Sequence, residues 1–205
     1  MTDAIDELAR RIASPTLDLK AIAALLDGLT DTERVTAALS VRGAAQKRLW
    51  DAAADVGERV LRLTDIVPAT TPAMTGVVHH GRNSMPAFTL FEKRFYRMPD
   101  ADPNQPGMVY GANFQTFAWF TGPGYFVATE DRSRSEILID YHRVPETAPA
   151  LWPEIRSNES GITRMVYGFM TDTLRRVSEN VTIGMPSRHG RSLGSYFVLC
   201  RQGPP

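Results

Sequence analysis

The spacing of apolar residues changes character partway along the chain, from helical in the first quarter to alternating in most of the rest. At the front, Ile5, Leu8, Ala9 and Ile12 recur at helical spacing after Thr2, and Ser14-Pro15 stops the run, because a residue before proline avoids the helical region. Asp18 is placed to cap a second helix with Ile22, Leu25 and Leu26 on one face, ending at Gly28. Thr30 and Glu33 have the spacing of a capping box, followed by the stripe Val35, Ala38 and Leu39. Gly43 interrupts that helix, and a further one runs from Ala44 with Ala45 and Leu49 on its face until Gly57. Helices this short are marginal alone, so each must bury its stripe. They are expected either to pack as a bundle on a sheet or to form a docking surface.

From residue 76 the period becomes two. Strands are predicted over 76–82, 87–98, 109–121, 125–129, 136–143, 180–185 and 194–201, separated by turns rich in Pro, Gly, Asn and Asp. Strict alternation along residues 87–98 puts Phe91, Lys93, Phe95 and Arg97 on one face and Leu90, Glu92, Arg94 and Tyr96 on the other. Residues 161–179 fit a helix, with Val166, Phe169, Met170, Thr173, Leu174 and Val177 on one side. Short connections between consecutive strands imply antiparallel pairing. The expected fold is α+β: an N-terminal helical segment, then a curled antiparallel β-sheet or barrel with one additional helix. The expected divisions are a helical front end over 1–57, a junction over 58–75 and a β-rich domain over 76–205.

Composition narrows the function classes. The 205 residues carry 23 basic and 23 acidic side chains, so bulk charge supplies no attraction to nucleic acid or membrane surfaces, and no such partner is expected. Near-neutrality favours self-association, and a homodimer is the expected assembly. One cysteine, Cys200, permits no internal disulfide and no cysteine-based zinc site. With no signal-like N-terminus and no apolar run of about 18 or more residues, a cytoplasmic protein is expected.

Candidate chemistry is sparse. His142 lies two residues after Asp140, on the same strand face, and the pair could act as an oriented general base. His79 and His80 are adjacent on a strand and point to opposite faces, so only one could join His142 and a carboxylate from Asp140 or Glu92 at a metal. No spacing is diagnostic of that centre, so neither metal nor cofactor is assigned. Residues 187–192 form a small basic turn, a hairpin tip that could receive an anion. Cys200 alternates with Tyr196 and Val198 and reads as an inert buried thiol.

The densest aromatic patch includes Phe114, Trp119, Tyr125 and Phe126. The leading expectation is a pocket for a small apolar or aromatic ligand, lined by Tyr96, Trp119, Tyr125 and Met170, with Arg94 or His142 as polar anchor. An enzyme using His142 and Asp140, and an interaction protein docking through its front helices, are the alternatives.

Overall fold

The computed structural model describes residues 2–54, 57, 60–85, 89–114, 124–158 and 168–203. Four helices come first: α1 (Thr2–Ala13), α2 (Leu19–Asp27), α3 (Asp31–Ser40) and α4 (Ala44–Ala52). Their limits follow the local signals. Asp18 accepts the backbone N–H groups of Lys20 and Ala21 at 2.9 and 3.2 Å, and the Glu33 carboxylate accepts the Thr30 N–H at 3.2 Å.

A short helix, α5 (Leu63–Ile66), leads into nine strands: β1 (Val77–Asn83), β2 (Leu90–Tyr96), β3 (Val109–Phe114), β4 (Tyr125–Asp131), β5 (Glu136–Asp140), β6 (Met170–Arg176), β7 (Val181–Arg188), β8 (Arg191–Ser192) and β9 (Phe197–Arg201). Each neighbour pairs antiparallel from β1 through β6 in chain order. β6 then pairs with β7, β7 with β9, and β9 back with β1. Eight strands therefore close into a barrel, and β8 is an extra strand laid against β7. Closure removes the sheet edges that an open sheet would expose.

The segment expected as helix over 161–179 contains no helix where it is described: Met170–Arg176 is strand, flanked by a turn at 168–169 and a bend from 177. β6 occupies residues Met170–Arg176 between β5 and β7. Its inward residues are Met170, Asp172 and Leu174, and an aspartate in the middle of that face broke the period-two pattern that would have identified it. Residues 159–167 lie outside the described residues.

Alternation divides the wall cleanly. Phe91, Lys93 and Phe95 of β2 face in, with Asn113 of β3, Phe126 of β4, Ile137, Ile139 and Tyr141 at β5, and Phe197 and Leu199 of β9. Most of the apolar members pack as one buried cluster. Tyr141 directly follows β5 and continues its inward face. Three inward aromatics stand directly opposite glycines on the neighbouring strand: Phe91 opposite Gly81, Phe126 opposite Gly111 and Phe197 opposite Gly184. In each pair the ring lies where a glycine Cβ would be, so the ring is laid along the wall.

The helices cover the outside of β7, β9 and β1. Leu8, Ile12, Ile22, Leu26 and Leu49 pack with Val181, Ile183, Val198 and Cys200 of the barrel wall. The fully buried Gln46 amide donates to the carbonyl oxygens of Val41 and Arg82 at 3.0 and 2.9 Å, fastening α4 to β1. Arg175 of β6 stacks on Trp50 at 3.8 Å and pairs with Glu136 at 2.7 Å. No described helix is long and apolar enough to cross a membrane.

The segment expected as a junction closes one end of the barrel. Leu61, Leu63, Ile66 and Val67 join the interior cluster with Phe95, Val109, Ala128 and Ile137. Arg176 at the end of β6 reaches Asp65 at 3.2 Å, and Glu130 accepts the Leu63 N–H at 2.9 Å. At the opposite end lie the last residues of β1, β3 and β5 and the first residues of β2, β4 and β6. Residues 86–88, 115–123 and 159–167, which fall between these strands in the chain, are not described.

Candidate functional site

The interior holds a buried cation. Lys93 is the middle residue of an inward face whose flanking members are Phe91 and Phe95, and its side chain is 3% exposed. Four ring centroids surround its ammonium: Tyr141 at 5.1 Å, Phe126 at 5.2 Å, Phe197 at 5.3 Å and Phe91 at 5.8 Å. Ring faces are the negative ends of aromatic quadrupoles and offset part of the loss of water around the charge. They do not replace hydrogen bonds, and three other strands supply those.

Lys93 Nζ donates to Asn113 Oδ1 of β3 at 2.9 Å and to the Tyr141 hydroxyl, and it lies 2.9 Å from Asp172 Oδ2 of β6. Tyr141 in turn donates to Asp172 Oδ2 at 3.0 Å and accepts from Asn113 Nδ2 at 2.9 Å. The three protons of Lys93 and the one proton of Tyr141 are thus directed within the cluster. Burial holds the Lys93 ammonium below the ordinary lysine range, and the neighbouring Asp172 works against that shift. Asp172 Oδ1 is fully buried and has no hydrogen-bond partner among the described residues.

Near the closed end, His79 is also inside. Its Nε2–H donates to the Ile66 carbonyl at 3.0 Å, and its ring meets Phe95 edge-on at 4.8 Å. Burial pushes its pKa down to about 3, so the imidazole is neutral at physiological pH. Cys200, buried beneath the helices, has its thiol pushed up to about 12 by burial.

The side chains singled out from the sequence stand mostly on the outer face. Arg94 pairs with Glu92 at 2.7 Å and lies 4.2 Å above the Phe114 ring. Tyr96 and Tyr125 point outward beneath the segment 145–158: Tyr96 donates to the Thr147 carbonyl, and Tyr125 to the Pro153 carbonyl at 2.5 Å. Trp152 packs against Tyr96, Phe114 and Tyr125. Asn158 locks the segment by donating to the carbonyls of Tyr125 and Tyr141 at 2.6 and 2.9 Å.

Asp140 also faces out and accepts the backbone N–H of His142 at 2.9 Å, so its carboxylate organises the strand end. The exposed His142 packs on Phe169 at 5.5 Å. His79 and His80 take opposite faces, His80 lying 3.7 Å from Glu92 outside. No three His, Cys, Asp or Glu side chains converge on one point among the described residues. Met170 alone of the expected ligand contacts belongs to the inner face, packed against its apolar cluster. Trp119 lies outside the described residues.

Two hollows open on the outer surface. One of about 370 Å³ is bounded by Leu39, His80, Leu90, Glu92 and Phe114, and one of about 550 Å³ runs from Pro68 to Val78 alongside Arg201 and Gln202. The first is also bordered by Gly81 and by Phe91, one of the rings around Lys93, while Lys93, Asn113, Tyr141 and Asp172 line neither. The sequence marks that cluster only faintly, because it includes none of the histidines and Lys93 stands on the face of β2 opposite Glu92 and Arg94. Its signal is one polar residue between apolar neighbours two positions away: Lys93 between Phe91 and Phe95, and Asp172 between Met170 and Leu174. Comparison of the chain with family models, curated proteins and solved structures finds no match.

Proposed function

We propose that the barrel binds a small, mostly apolar or aromatic ligand in its interior, with the Lys93–Asp172 cluster as polar anchor. One observation carries this reading: a complete ion pair, with Tyr141 and Asn113, sits among inward-facing rings in a closed barrel. Burying such a pair costs more in desolvation than it returns, and well-packed apolar residues in its place are often neutral or stabilising. A barrel interior that serves packing alone has no need of it. An interior that must orient a ligand does, because a few convergent polar groups in an apolar lining fix a ligand's pose.

We place the approach at the end opposite α5, because of its exposed apolar side chains. Three exposed large apolar side chains, Met85, Leu90 and Leu193, lie at strand ends on that side. The helical front end has already placed its apolar stripes on the barrel wall, which favours the interior over the helices as the functional surface.

The test compares the mass of the purified protein under native and denaturing conditions, together with titration of an apolar fluorophore. A retained small molecule, or saturable fluorophore binding weakened by Phe91→Trp but not by Leu39→Ala, which alters only the outer hollow that Phe91 also borders, is the expected result. Phe91→Trp adds bulk beside Lys93 without touching its hydrogen bonds. A clean mass together with no fluorophore binding would sink the reading.

A further inference from the structure

The hydrogen-bond accounting of the cluster points to the chemical class of the ligand, given that the interior is the binding site. Lys93 directs its protons to Asn113, Tyr141 and Asp172 Oδ2, and Tyr141 directs its own to Asp172 Oδ2. Apart from one Asn113 amide hydrogen, the cluster has no donor to spare. What remains is an acceptor: Asp172 Oδ1, on a residue 2% exposed, with no donor directed at it among the described residues. A buried carboxylate oxygen in that position is under-satisfied, and a group that donates to it recovers a charge-assisted hydrogen bond.

We propose that the ligand carries a neutral hydrogen-bond donor, a hydroxyl or an N–H on an aromatic or aliphatic body, and delivers it to Asp172 Oδ1. Charge balance supports the same class. Lys93 and Asp172 already neutralise one another, so a carboxylate or phosphate ligand would bring an uncompensated charge among apolar rings, at high cost. An ether or ester has nothing to give, and leaves Oδ1 unpaired. The rings of Phe91, Phe126, Tyr141 and Phe197 lie around the Lys93 ammonium that pairs with Asp172, so the surroundings of the pair are aromatic and a phenol is the simplest ligand of this kind.

The experiment uses three matched series with the intact protein: 4-alkylphenols from ethyl to octyl, their methyl ethers, and the corresponding 4-alkylbenzoates. Calorimetry measures affinity, and the backbone amide shifts of residues 91–95, 111–113, 139–141 and 172–174 report location. The phenols are expected to bind at least about ten-fold more tightly than their ethers, the usual consequence of leaving a buried acceptor unpaired, and to outbind the benzoates. In a Lys93→Met/Asp172→Leu double variant, which is charge-neutral, the preference for phenol over ether should vanish. The wild-type comparison decides the matter even if that variant does not fold. Ethers or benzoates that bind as tightly as the phenols while shifting the interior amides would overturn the donor assignment and leave interior binding standing. If no member of any series shifts those amides, interior binding falls, and the donor assignment with it.

Discussion

Lys93 and Arg94 are adjacent residues on opposite faces of one barrel wall, and each is a cation paired with a carboxylate near aromatic rings. Arg94 meets Glu92 two residues away on its own strand, stacks on Phe114, and remains 36% exposed. Lys93 meets Asp172 across the lumen, is 3% exposed, and needs a tyrosine and an asparagine from two further strands. The difference is solvent. Outside, water shares the work of stabilising both charges, and the pair is worth little. Inside, every partner must come from the protein, so removal of one strands the rest. The two aromatic layers differ in the same way. The outer tyrosines hydrogen-bond to the backbone of a covering segment, whereas three of the inner rings, Phe91, Phe126 and Phe197, pack against glycines.

That contrast is open to attack first at Lys93. Lys93→Met leaves the Asp172 carboxylate buried and unpaired, and should cost about 3–5 kcal/mol in urea unfolding, with Lys93→Met/Asp172→Leu recovering most of it. A single variant no less stable than Arg94→Ala would erase the distinction between the faces. Next comes the glycine wall. Gly111→Ala sets a methyl against the Phe126 ring and the Arg94 carbonyl. Overpacking of this kind costs about 1–3 kcal/mol, and the backbone contact places it toward the upper end. Thermal unfolding of Gly111→Ala beside an exposed Gly107→Ala control, where a methyl meets nothing, would measure it.

The third concerns pH. His79 has a folded pKa of about 3, against an ordinary value of 6.5. Between those values only the unfolded chain binds the proton, so stability falls as the medium is acidified through that window, and is unaffected by this group above it. His79→Asn retains a donor for the Ile66 carbonyl and should flatten the slope of stability against pH from 6.5 downward. Equal slopes for the two proteins would show that His79 is not held neutral.

On the outer layer the effects shrink. Tyr125→Phe removes the hydrogen bond to the Pro153 carbonyl and should cost about 1 kcal/mol. It should also speed amide exchange within residues 145–158 while leaving β2 protected. Smallest of all, Arg94→Ala should change stability by no more than about 1 kcal/mol, and less at high salt.

Much of the architecture was legible in the pattern. The division of β2 into two faces follows from the period of two alone, though not which face turns inward, and the helix limits follow because Asp18, Gly28, Thr30 and Glu33 are short-range signals. The candidate site was less legible. Tyr96 and Tyr125 were expected in a pocket, but the aromatic content of a strand does not say which face turns inward when both faces carry rings. β6 resembled a helix because Asp172 occupies its inward face, and a lone buried charge looks from the sequence like a break in an apolar stripe. The three Gly–Phe pairs could not be matched at all without the register that sets them opposite.

The sequence by itself determined the helical front, its caps, the alternating strands and their antiparallel succession. Those features depend on backbone geometry and on hydrogen bonds reaching no more than a few residues along the chain. Only the tertiary structure decided that β9 returns to β1 and that β6 meets β7. It also decided that a short helix closes one end and that Lys93, Asn113, Tyr141 and Asp172 meet inside. These residues come from four separate stretches of chain, and nothing local to any of them encodes the others. Barrel closure turns their side chains toward a common centre, and their burial makes a lysine, an amide, a phenol and a carboxylate depend on one another.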